Sequence, residues 1–196
     1  MATHRRIILA SGSSYRRELL GRLGLRFESA SPEVDETALP GEAPGDTALR
    51  LSVLKARAVC GRFADAVIIG SDQVASCGEM RLDKPGNREN AIRQLEFMSG
   101  RTAVFDTAVS VLDAASGAIR SRVVPCRVTF RRLTRARIET YLEREQPYDC
   151  AGSAKAEGLG IALIARIETE DPTSLIGLPL IALTELLGET GVPVLG

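Results

Sequence analysis

The chain has 196 residues, with 25 Lys and Arg set against 25 Asp and Glu, so its formal net charge is zero. That length suits one domain or two intimate lobes, and 44% apolar residues with a mean hydropathy of +0.02 exclude a disordered chain. Neutrality excludes a general polyanion binder, and no apolar run approaches the roughly 18 residues of a membrane span. The stretch RRIILA at 5–10 is too short for a signal-peptide core, so a cytoplasmic protein is expected.

The only histidine is His4, which argues against histidine-ligated metal sites and against Ser-His-Asp or Cys-His catalytic pairs. Cys60, Cys77, Cys126 and Cys150 show no CxxC spacing and read as reduced, mostly buried thiols. Carboxylates, arginine, lysine and a bound metal are left to carry any chemistry. Only three of the basic residues are lysines (Lys55, Lys84 and Lys155), and a compact ammonium is something arginine does not imitate.

In chain order, RRIILA reads as a buried strand broken by SGSS at 11–14. A helix follows over 15–24, capped by Ser13 or Ser14, with Leu19, Leu20 and Leu23 on one face and Gly24 as its stop. The acidic stretch from Phe27 to Asp46 reads as a loop. A second helix is expected over 46–62 with Leu49, Val53, Ala56 and Cys60 inward, then a strand AVIIGSD at 66–72 ending in a Gly-Ser-Asp corner. RLDKPG reads as a turn and 87–100 as an amphipathic helix. TAVFDTAVSVLD and IRSRVVPCRVTF alternate like paired strands joined by AASG. Thr134 can cap a helix running to Glu145. A mobile, glycine-rich loop at 151–160, a short strand IALIARIE and a closing helix PLIALTELLG complete the chain. The alternation predicts an α/β fold, with a mixed central sheet flanked by helices, and residues 1–196 form a single domain.

Four constellations could carry chemistry. SGSSYRR joins small residues to a helix N-terminus, the arrangement of a phosphate cradle, and Arg16 and Arg17 in the first turn call for an anion to offset them against the helix dipole. Asp35 and Glu36 in PEVDET could hold a divalent cation beside a phosphate. Asp72 in GSDQV is a candidate base or metal ligand in a chain with no usable histidine, and Lys84 follows on a turn stiffened by Pro85. AGSAKAEGLG presents Lys155 and Glu157 on a loop suited to a lid or to base recognition. Together these describe a polyphosphate site.

SGSSYRRELL, PEVDE, Lys55–Ala56, GSDQV, DKP, CAGSAKAEG and IGLPL occur in the order seen in the Maf family of nucleoside triphosphate pyrophosphatases, which the chain resembles from about residue 7 to residue 188. The resemblance implies two lobes with a cleft, similar to the inosine triphosphate pyrophosphatase fold, often in a homodimer. It implies cleavage between the α- and β-phosphates with a divalent cation, Mg²⁺ or Mn²⁺. Ser11, Ser13, Arg16, Arg17, Lys55 and Lys84 match the family's phosphate-binding positions, Asp72 its catalytic base and Glu36 its acidic, metal-linked position.

Tyr15, Gln73 and Glu157 occupy the positions at which the family's subgroups differ. An aromatic, Gln and Glu there resemble the subgroup acting on 7-methyl-GTP, whereas the dTTP/UTP enzymes tend to carry Arg, Thr and Gln. A 7-methylated guanine is cationic, so an aromatic face attracts it. That subgroup commonly has Trp where this chain has Tyr15, and the chain has no Trp at all. The rival readings are the dTTP/UTP reaction, a non-catalytic nucleotide-sensing module linked to cell division, and a nucleic-acid binder using the basic stretch 120–144. That last stretch lacks the interleaved aromatics of a stacking platform. The net charge of zero is a sum of opposed blocks: residues 1–26 carry +5 and 27–46 carry −6, which sets the cradle beside the metal loop.

Overall fold

Strand β1 (Ile7–Ala10) is buried along its whole length, and the computed structural model that contains it describes residues 5–195, so His4 lies outside the described residues. Helix α1 (Ser14–Gly21) follows, with Ser13 as its N-cap; the helix ends at Gly21, and Gly24 turns the chain beyond it with φ +68°. A two-residue strand β2 (Glu28–Ser29) pairs parallel to β1 within the expected loop. Helix α2 (Pro44–Cys60) leads into β3 (Val67–Cys77), which turns back as β4 (Met80–Leu82). Helix α3 (Arg88–Met98) is capped by Asn87, and the long hairpin β5 (Thr102–Asp113) and β6 (Ile119–Phe130) falls on the two alternating segments read from the sequence. Helix α4 (Arg135–Glu145), capped by Thr134, strand β7 (Ile164–Glu168) and helix α5 (Leu180–Glu189) complete the order.

The strands form one mixed sheet in the order β2-β1-β3-β5-β6-β7, with β4 added on β3. Period-2 alternation sorts the side chains of its first half: Ile7 and Leu9 face α1 and α5, while Ile8 and Ile68 face α2. The far half of the β5–β6 hairpin packs Phe105, Val128 and Phe130 against Leu95 and Met98 of α3 and Leu142 of α4. Two lobes of packing therefore share one continuous sheet. Among the described residues no helix is long and apolar enough to cross a membrane.

Two departures from the sequence expectation shape the centre of the molecule. The inward stripe of α2 is Thr47, Ala48, Leu51, Ser52, Lys55, Ala56 and Val59; of the expected Leu49, Val53, Ala56 and Cys60, only Ala56 is fully buried. The stripe includes polar residues because their partners lie across it: Ser52 Oγ meets Ser110 Oγ of β5 at 2.6 Å, and Lys55 meets β3. The second departure is β3, which has no corner at Gly-Ser-Asp and runs on to Cys77. Its continuation is held by β5, which pairs with it from Val67 to Ser76.

Because β5 occupies one edge of β3 throughout, β1 and β4 must share the other edge. β1 pairs with residues 67–70 and β4 with residues 75–77. Ser71, Asp72, Gln73 and Val74 lie between, with no strand beside them on that edge.

Helix α2 crosses β3 just before this gap, and Gly70 allows the approach. A Cβ at Gly70 would lie 2.1 Å from the Ser52 carbonyl oxygen, so backbone would have to move. Gly70→Ala should cost about 3 kcal/mol or more, lowering Tm by roughly 6–12 °C in thermal denaturation; a Tm within about 2 °C of the parent would contradict this packing.

Candidate active site

A cavity of about 980 Å³ opens at the gap in β3 and reaches both faces of the sheet. Among the described residues it is lined by Ser11, Ser13, Tyr15, Arg16, Glu36, Lys55, Asp72, Gln73, Lys84 and Glu157. Ten of the eleven residues that the family resemblance assigns to the site are thus brought together from elements more than 140 positions apart, whereas Asp35 and Lys155 are not among the lining residues. Arg17 is not among the lining residues; it is exposed and donates to Ser29 Oγ on β2.

Consecutive residues of a strand point to opposite faces, so Ser71 and Gln73 face one way and Asp72 the other. On the α2 face, Lys55 Nζ donates to Asp72 Oδ1 at 2.6 Å and lies 2.7 Å from Glu36 Oε1. Lys55 and Asp72 are nearly buried, at 7% and 8% side-chain exposure, while Glu36 reaches in from solvent at 61%. A buried pair of this kind must remain matched, because an isolated charge there is costly. Asp72 Oδ2 makes no hydrogen bond among the described residues, which leaves it for a ligand or a water of the cavity.

On the opposite face, Ser71 Oγ shares its one proton between the Ala108 carbonyl at 2.8 Å and the Gly177 carbonyl at 3.0 Å, and Arg16 Nε donates to the Gly177 oxygen at 2.8 Å. That contact turns Arg16 into the cavity. Burial lowers its guanidinium from the ordinary value, and the carboxylates of Asp72 and Glu36 push it back up. Ser13 Oγ accepts from the Arg16 amide and the Ser13 amide donates to Ser11 Oγ, so the serines build the turn that starts α1. The other first-turn amides have no intrahelical partner and suit an anion. Lys84 stands exposed at the rim, on a turn fixed by Gly86 N–H to the Tyr148 carbonyl and by Asn90 to the Pro85 carbonyl.

The other end of the cavity has a different character. Gln73 Nε2 donates to Thr107 Oγ1 and to the Ser174 carbonyl, both at 2.9 Å, with Leu175 O at 3.2 Å. Thr107 donates its own proton to Ser174 O, so it can only accept from Gln73. The amide orientation is thereby fixed, and Gln73 Oε1 is left as an acceptor. Tyr15 donates to Asp149 Oδ2 at 3.2 Å; burial and the neighbouring Cys150 and Asp149 raise its phenol, so it stays protonated. Lys155 Nζ lies 5.8 Å from the centre of the Tyr15 ring and 3.2 Å from Glu145 Oε1. Burial pushes the Cys150 thiol up to about 11, which keeps it a thiol at neutral pH. Glu157 is exposed on the cavity wall and takes part in no hydrogen bond or ion pair among the described residues.

The segment 151–160 is a packed loop, not a free lid. Lys155 N–H donates to Tyr141 Oη, Leu159 N–H to Glu145 Oε2, and Ser153 Oγ to Gln94 Oε1. Its glycines serve close approach: a Cβ at Gly160 would lie 2.5 Å from the Lys155 carbonyl.

Sequence reasoning missed Arg81 and Asp149 on the cavity wall, Thr107 behind Gln73, and the Gly177 carbonyl that turns Arg16. Only the last has a signal in the chain, the IGLPL segment to which Gly177 belongs. The four cysteines are free, with Cys77 and Cys126 buried.

The Maf-like protein family model matches residues 6–190. The chain belongs to the Maf family. It is 58% identical over 189 residues to the 7-methyl-GTP pyrophosphatase of Thiobacillus denitrificans, covering 96% of this chain and 94% of that protein. It is 55% identical over 188 residues to the enzyme of the same name from Cupriavidus pinatubonensis, with 96% and 94% covered. Among solved structures, a HAM1 protein from Coxiella burnetii aligns with a TM-score of 0.49 at 16% identity, over 66% of this chain and 74% of that one.

Placement separates the adjacent arginines. Charge-assisted hydrogen bonds contribute roughly 1.5–3 kcal/mol, so Arg16→Ala should weaken pyrophosphate binding about 10-fold or more beyond Arg17→Ala in calorimetric titration. Equal losses would show that Arg17 also reaches the ligand.

Proposed function

We propose that the protein hydrolyses 7-methyl-GTP between its α- and β-phosphates, releasing 7-methyl-GMP and pyrophosphate. The observation that carries this reading is the division of one cavity into two unlike ends. Arg16, Lys55 and Lys84 supply cations around Asp72, whereas Tyr15, Gln73, Asp149 and Glu157 supply an aromatic face and acceptors. The relatives' names agree with it.

At the phosphate end, Arg16, Lys55 and Lys84 neutralise the triphosphate, and the serine turn at 11–13 offers backbone donors. Asp72 takes a proton from water through its unengaged Oδ2 as the water attacks the α-phosphorus. Lys55, drawn toward the phosphates, releases Oδ1 and offsets the charge gathering there. Positioning and charge stabilisation supply most of the rate in such transfers.

The residues fit a divalent cation shared with the substrate. Glu36 and Asp72 both reach one cationic centre, the Lys55 ammonium, so their oxygens converge. The described residues hold no cluster of three or more His, Cys, Asp or Glu able to bind a metal, and Mg²⁺ or Mn²⁺ is commonly held by one or two carboxylates plus substrate phosphates. When bound, such an ion would offset phosphate charge.

At the base end, Gln73 Oε1 and the Glu157 carboxylate accept from the guanine N1 and N2 donors. Uracil and thymine lack that pair, which weighs against the dTTP/UTP reading. The Tyr15 face attracts a cationic ring by about 0.5–2 kcal/mol, and a cation already stands over it in Lys155. Four free thiols suit a reducing compartment, the cytoplasm.

A panel of nucleoside triphosphates with Mg²⁺ or Mn²⁺, assayed for pyrophosphate, tests the proposal. Highest kcat/KM is expected for 7-methyl-GTP; preference for UTP or dTTP would overturn the base assignment, and no turnover would leave a binding module. Asp72→Asn should lower kcat by about 10²–10⁴-fold while nucleotide affinity is largely kept.

A further inference from the structure

Glu36 belongs to a segment, residues 30–39, that has no helix or strand. Its carboxylate is mostly in solvent, yet it meets Lys55 at 2.7 Å. An irregular acidic segment needs something to hold it there, since ordering each residue costs roughly 1–2 kcal/mol.

The holding point is Glu42, whose side chain is only 11% exposed. Its Oε1 accepts from Arg50 Nε at 2.6 Å; its Oε2 accepts from Arg50 Nη2 at 2.8 Å, from Thr47 Oγ1 at 2.9 Å and from the Leu39 amide at 3.1 Å. The same Arg50 Nη2 donates to the Thr37 carbonyl at 3.1 Å, one residue beyond Glu36. On the other side of Glu36, Asp35 Oδ1 accepts from the Thr37 amide at 2.9 Å. From β4, Arg81 donates to Thr47 Oγ1 and to the Glu42 carbonyl. Arg50 holds the carboxylate of Glu42 down to about 2, so the pair stays ionised at any working pH.

The geometry points to Glu42 and Arg50 as a clasp that positions Glu36, acting through the loop and touching neither substrate nor reacting atoms. Arg50 and Lys55 lie five residues apart on α2, so one rigid helix sets both the anchor of the acidic loop and the ammonium that Glu36 must reach. Bidentate geometry is what lets one guanidinium hold two carboxylate oxygens and a carbonyl together, and a lysine does not reproduce it. The role of the clasp in turnover rests on the hydrolase reading.

A double-mutant cycle tests it. Glu42→Gln, and Arg50→Lys as a milder variant should the first fail to fold, should lower kcat/KM for the nucleotide by about 10- to 100-fold, the scale of a small misplacement at a reacting centre. In a Glu36→Gln background the same changes should cost less than about threefold further, because the clasp acts through Glu36. An equal loss in both backgrounds, or no loss in either, would overturn the clasp. Amide hydrogen exchange of the 35–43 segment gives a readout that does not need turnover. Exchange there should speed up in Glu42→Gln while the β3 and β5 amides keep their protection. Unchanged exchange would refute the clasp even if the wild-type protein turned over no nucleotide, an outcome that would separately refute the hydrolase reading.

Discussion

Four residues of β3, from Ser71 to Val74, have a strand on one side only, and the site exists because of that interruption. β1 stops at Ala10 and β4 ends opposite Ala75, while β5 runs alongside from Val67 to Ser76. The unbroken neighbour keeps β3 straight and in register. The missing neighbour leaves backbone and side chains of Asp72 and Gln73 open to a cavity that enters from both faces. A fixed geometry and an opening are thus supplied by the two edges of one strand.

The gap also divides labour by strand pleat. Asp72 points to α2, where it pairs with Lys55, and Gln73 points to the other face, where Thr107 of β5 and Ser174 of the segment after β7 fix its amide. One peptide bond therefore separates the group proposed for proton transfer from the group proposed for recognition. Neither can shift along the strand by one residue without exchanging faces, so the register between β3 and β5 sets which side chain meets which face of the cavity.

Charge in this protein is arranged locally. The basic segment around α1 and the acidic segment after it meet at the cavity, where Arg16, Lys55, Glu36 and Asp72 approach one another. Such a cluster is stable only when fully matched, because desolvation costs each unpaired ion several kcal/mol. Lys55, between the two carboxylates, and Arg16, which both of them favour in its charged form, set two cations against two anions.

The periodic parts of the fold were legible in the sequence. The β5–β6 hairpin, α3 and α4 with its Thr134 cap lie where alternation, helical spacing and a capping residue placed them, because those signals are local. Residue types also narrowed the chemistry to carboxylate, lysine and arginine, and the ordered motifs pointed to the family. The buried face of α2 was not legible, since its polar members are buried only because Ser110 and Asp72 await them across the interface. Nor was the continuation of β3 past Asp72: Gly-Ser-Asp reads as a corner until β5 is laid beside it. Arg16 and Arg17 are indistinguishable as letters in one helical turn. Only the Gly177 carbonyl, some 160 residues away in the chain, decides which of them faces the cavity, because a contact at that separation leaves no periodic trace in either segment.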